Sequence, residues 1–75
     1  MKQIKETEKQ IAARCRGKLA EKRIRLNSVA DVIGVSETTI YQKMNGASIL
    51  TAGELATIAM TCNFTREDVN FIIFG

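Results

Sequence analysis

Apolar positions along the chain recur at helical spacings, and polar residues divide them into five runs. In the first run Ile4, Ile11, Cys15 and Leu19 stand seven and four apart, one stripe of a 3.6-residue period. This predicts a first helix from about residue 5 to 22, in which Gly17 costs ~1 kcal/mol relative to alanine. Ile24 falls in the connection that follows and is expected to turn inward. Val29, Ala30, Val32 and Ile33 predict a short second helix, capped by Asn27 or Ser28 and stopped by Gly34 in a left-handed conformation. Ser36 is placed to cap a third short helix, which Asn45 and Gly46 close. Thr51 and Glu54 have the spacing of a capping box ahead of the stripe Leu55, Ile58, Ala59 and Cys62, with Asn63 as a C-cap. Thr65 and Asp68 repeat that spacing ahead of Val69, Ile72 and Ile73. With no proline and no segment resembling a β hairpin, the pattern predicts an all-α fold of five helices in one domain, residues 1–75.

The second and third helices are joined by little more than Gly34, Val35 and Ser36, a turn too tight for them to lie side by side. Two helices crossing at roughly 90–120° through such a turn make a helix-turn-helix, predicted here over about residues 26–45. That geometry needs a small residue at the crossing, a reversing residue in the turn and apolar plugs in the angle. Ala30, Gly34, Val35 and Ile40 meet those needs at fitting spacings.

On these residues the chain resembles the Cro and lambda-repressor-like helix-turn-helix family of phages and bacteria. The matching segments are Ser28 to Gly34, Val35-Ser36, and Thr39 to Gly46. The run from Thr39 through the loop to Ala59, and Phe64 to Val69 with the terminal Ile72-Ile73-Phe74-Gly75, look most like small regulators of phages and prophages of Gram-positive bacteria. The resemblance spans about residues 18–75. It implies a five-helix lambda-repressor-like domain whose third helix, from Ser36, lies in the DNA major groove. By position Glu37, Thr38, Tyr41 and Gln42 then face base edges, and Ile40 and Met44 point inward. The chemistry agrees: Gln42 suits adenine, Thr38 a thymine methyl, and Glu37 the amino group of cytosine. Phosphate contacts are expected from Asn27, Ser28, Ser36, Thr39, Lys43, Asn45 and the Gly46-Ala47 amides. Leu26 departs from the pattern, because the first position of the second helix is commonly a glutamine that touches phosphate.

Charge sharpens this picture. Residues 1–25 carry nine basic side chains against three acidic ones, a net of +6, whereas residues 26–75 carry two against five, a net of −3. A basic end on a small domain suggests a polyanion partner, although a solvated helix face would show the same composition. The third helix carries one cation, Lys43, offset by Glu37. Backbone-tracking charge is therefore expected from residues 1–25, through Arg14, Lys18 and Arg25 or through a flexible basic arm at residues 1–6.

Candidate chemistry of other kinds is sparse. Histidine is absent, there is no Gly-rich phosphate loop, and no carboxylate pair has catalytic spacing, so an enzyme is not expected. Cys15 and Cys62 cannot complete a zinc site; a disulfide is arithmetically open, but both fall on apolar stripes and read as small core hydrophobes. No metal, cofactor or small-molecule substrate is expected. No apolar run approaches the ~20 residues of a membrane span, and the N-terminus lacks the apolar core of a signal peptide, which predicts a cytoplasmic protein.

On the last helix Phe71 and Phe74 fall opposite the Val69, Ile72 and Ile73 face. They are expected to form a two-fold dimer patch, or else to pack back onto Ile4 and Ile11. The function these features imply is that of a sequence-specific transcriptional regulator, a phage or prophage repressor or Cro-like protein, bound to double-stranded DNA as a homodimer. Two alternatives stay open: a protein-interaction module that keeps the fold without reading DNA, and an excisionase-like architectural factor.

Overall fold

A computed structural model describes the backbone of residues 2–75 and the side chains from Thr7 onward. Five helices follow one another: α1 (Lys2–Glu21), α2 (Leu26–Ile33), α3 (Glu37–Met44), α4 (Ala52–Thr61) and α5 (Arg66–Phe74). No strand occurs among the described residues. The helix order and number match the apolar pattern, and most of the expected stop and start signals are in place.

The starts of the later helices are closed by side chains. Ser36 Oγ accepts the backbone N–H of Thr39 at 3.1 Å. Thr51 Oγ1 accepts from Glu54 N while Glu54 Oε1 accepts from Thr51 N, a complete capping box. Thr65 and Asp68 exchange the same pair of bonds. Each box satisfies two donors that an α-helix cannot satisfy internally. Stops follow the expected chemistry too, with Gly34 at φ +75°, Gly46 at φ +79° and Asn63 at φ +57°. Their left-handed backbone lets the following amides reach back to the last helical carbonyls.

Two boundaries differ from expectation. The first helix begins at Lys2 rather than near residue 5, so residues 2–6, expected as an arm, have helical backbone. The second helix starts a turn early. Its N-cap is Arg25, in extended conformation and with no side-chain cap, while Asn27 and Ser28 lie inside the first turn. Leu26, Val29, Ala30 and Ile33 share a face at spacings of three, four and seven, and burying Leu26 draws the helix start forward. Within that turn Asn27 Oδ1 accepts the N–H of Ser28 at 2.9 Å.

Every helix sends side chains to one core. It comprises Cys15 and Leu19, Val29 and Ala30, Ile40 and Met44, Leu55 and Ile58, and Ile72, with Ile24 and Val35 packed against it as plugs. Each fully buried Leu or Ile contributes roughly 1.5–3 kcal/mol. The packing pairs are α1 with α5, α1 with α3, α2 with α3, and α2 with α4. Cys15 is a buried thiol, pushed up to about 12 by burial first and by neighbouring Cys62 second. Both cysteines are free, and Cys62 is half-buried. On α5 only Ile72 is fully buried; Ile73, expected beside it, is 36% exposed at the C-terminal end.

Candidate functional site

The turn at residues 34–36 joins α2 to α3, which pack together, and the Ile40 and Met44 side chains of α3 are buried in the core. One helical face being thus occupied, Glu37, Thr38, Tyr41 and Gln42 emerge together on the other, all exposed. None of these four side chains makes a hydrogen bond or ion pair among the described residues. Ser36 and Thr39 border the row, and the Ser36 hydroxyl donates to Thr39 Oγ1 at 2.8 Å. The four residues expected to share this face do share it.

The expected anchoring residues behave differently. Lys43 is turned back: its Nζ donates to Glu54 Oε1 at 3.0 Å and to the carbonyl of Ile49 at 2.9 Å, with 12% of the side chain exposed. It ties α3 to the start of α4. Burial pushes Glu54 up, but the Thr51 N–H and the Lys43 ammonium outweigh it and hold the carboxyl below its ordinary value. The amides of Gly46 and Ala47 are also engaged, donating to the carbonyls of Lys43 and Gln42 at 3.3 and 2.9 Å. Those bonds close the helix end, which is why these N–H groups do not face outward. Asn27, Ser28 and Asn45 are exposed, while Leu26, at the position the resemblance gives to glutamine, packs against the core.

Basic residues of α1 sort into two sides. Toward α5 they are tied to that helix, together with Lys22 just beyond the end of α1. Lys18 and Lys22 each lie 3.4 Å from a carboxylate oxygen of Asp68, and Lys18 also meets Glu21 at 3.6 Å. Their ammonium groups sit over the rings of Phe71 and Phe64, at 4.9 and 5.6 Å from the centroids. Arg14 Nε donates to the carbonyl of Ile72 at 2.9 Å, covering the negative end of α5. Arg14 and Lys18, expected to track a nucleic-acid backbone, thus hold α5 in place; Arg25 remains exposed and without an ion pair among the described residues.

Toward α3 the partners differ. Arg16 donates through Nη1 to the side-chain oxygen of Asn45 at 2.9 Å, and among the described residues no carboxylate pairs with it. Lys9 lies against Gly46, where an added Cβ would come within 3.3 Å of the Lys9 Cα and collide with its Cγ. Arg16 and Lys9 were not among the expected site residues, although their seven-residue spacing, continued by Lys2 in the sequence, was a usable signal.

Phe74 is 80% exposed and Phe71 is 45% exposed beneath Lys18. Ile4, one of the positions onto which they could have folded back, lies outside the described side chains. Among the described residues no cluster of His, Cys, Asp and Glu could hold a metal, and no helix is long and apolar enough to cross a membrane. Protein-family models, curated proteins and solved structures were all compared with the chain, and none matches it.

Proposed function

We propose that the protein is a sequence-specific DNA-binding transcriptional regulator. In this reading α2, the turn and α3 form a helix-turn-helix of the lambda-repressor-like kind, with α3 in the major groove. The observation that carries it is the row Glu37, Thr38, Tyr41 and Gln42, exposed together and without polar partners among the described residues. The major groove admits one α-helix and offers these groups their complements. Gln42 pairs with the N6 and N7 of adenine, Glu37 accepts from cytosine N4, and the Thr38 methyl meets that of thymine. Because Ser36 donates to Thr39 Oγ1, the Thr39 hydroxyl hydrogen is left for a phosphate oxygen. Two copies meeting through Phe71 and Phe74 would read the halves of a pseudo-palindrome, and occupation of a promoter would repress it.

One observation favours a second reading. With Lys43 held by Glu54, the outer face of α3 carries only the charge of Glu37. A protein-interaction module would tolerate that better than a DNA reader. Titrating duplex DNA of mixed sequence into isotopically labelled protein at low salt separates the two. Amide shifts concentrated over residues 36–45 support the DNA reading. Unchanged spectra from folded protein leave the interaction module.

A further inference from the structure

We infer that α1 is a second DNA-contacting element, in which Lys9, packed on Gly46, and Arg16, bonded to Asn45, grip the phosphate backbone beside the groove that α3 enters. This rests on the proposed DNA reading and names where its nonspecific affinity comes from. On the α5 side of α1, Lys18 and Lys22 share a carboxylate and Arg14 covers helix-end carbonyls. On the α3 side the exposed guanidinium of Arg16 meets, among the described residues, only a neutral amide. A guanidinium can only donate, so the oxygen of Asn45 must face it and the Asn45 amino group is turned away, its donors unengaged among the described residues. Arg16 itself uses one nitrogen in that bond. Lys9, two turns earlier, packs its stem on Gly46 and is without an ion pair among the described residues.

The result is a set of donors from α1 and from the end of α3, with no acceptor among them except the oxygen already bound by Arg16. Among the described residues such a set is unsatisfied, and it is matched by phosphate oxygens, whose contacts come from Arg, Lys and amide side chains among others. It lies at the C-terminal end of the same helix that carries the reading row. It also replaces donors the chain withholds there, since Lys43 and the Gly46 and Ala47 amides are already bonded.

Salt dependence of binding to a mixed-sequence duplex tests this. Arg16→Gln, Lys9→Gln, Asn45→Asp and Lys22→Gln each lower the net charge by one. In Asn45→Asp the new carboxylate keeps the tie to Arg16 while cancelling its charge, so a purely structural tie would survive it. The inference expects the slope of log K against log salt to fall by about 0.9 for Arg16→Gln and for Lys9→Gln. For Asn45→Asp it expects at least tenfold weaker binding at an unchanged melting temperature, and for Lys22→Gln a wild-type slope. If all four variants keep the wild-type slope and affinity, or lose slope equally, α1 is not on the backbone, although the DNA reading stands. If the folded wild type binds no duplex at low salt, both fail.

Discussion

Gly46 illustrates how one residue serves two constraints. Its φ of +79° closes α3, and the missing side chain lets α1 approach through Lys9. Gly46→Ala should therefore cost roughly 1–3 kcal/mol, because a left-handed non-glycine residue is strained and its Cβ meets the Lys9 backbone. Gly17, exposed inside α1 with open space around it, should behave oppositely, Gly17→Ala adding ~1 kcal/mol. Urea unfolding of the two variants checks both signs. Asp68 gives a pH-dependent counterpart. The Thr65 N–H, ahead of the charges of Lys22 and Lys18, holds its carboxyl down to about 2. A carboxyl depressed in the folded state stabilises at neutral pH, and that contribution is lost as pH falls from about 4 through about 2. The melting temperature should drop across that window, and Asp68→Asn should flatten the drop while lowering stability above it. A variant with the wild-type acid profile would remove Asp68 from the account.

At the scale of elements, Lys43 shows where sequence reasoning stops. Its place on α3 beside the proposed reading row made it a natural phosphate contact, but its partner Glu54 is eleven residues away across a loop. Tertiary ion pairs of that kind leave no local periodicity. Lys43→Met should accordingly destabilise the fold by about 1–2 kcal/mol, partial exposure keeping the loss modest, with little change in the salt slope of DNA binding. A lowered slope at wild-type stability would return Lys43 to the phosphate. Capping boxes at Thr51 and Thr65 were legible because donor and acceptor lie three residues apart. The face Glu37, Thr38, Tyr41 and Gln42 was legible because helical periodicity alone separates it from Ile40 and Met44. The start of α2 was not, since burial of Leu26 overrode the capping preference of Asn27 and Ser28. Nor was the division of the α1 cations into those tied to α5 and those beside the end of α3, which depends on where α5 and α3 pack.

Over the whole molecule the proposed reading row on α3 and the basic side of α1 adjoin at Asn45 and Gly46, while the exposed phenylalanines stand on α5. A half-site reader needs the third as well as the first, since a single short helix contacts few bases. If Phe71 and Phe74 form the proposed dimer patch, sedimentation should show a dimeric wild type and a folded monomeric Phe71→Ala/Phe74→Ala variant; a folded monomeric wild type contradicts that assignment. The most direct test of the central claim, that α3 reads bases, is affinity selection from a random duplex library by the wild type beside Gln42→Ala. The account predicts an enriched inverted repeat with half-sites about one helical turn apart, and loss of preference at one symmetric position in the variant, costing ~1–3 kcal/mol on the wild-type site. Enrichment of the same motif with equal strength by both proteins, or no enrichment by folded wild type at low salt, would contradict it.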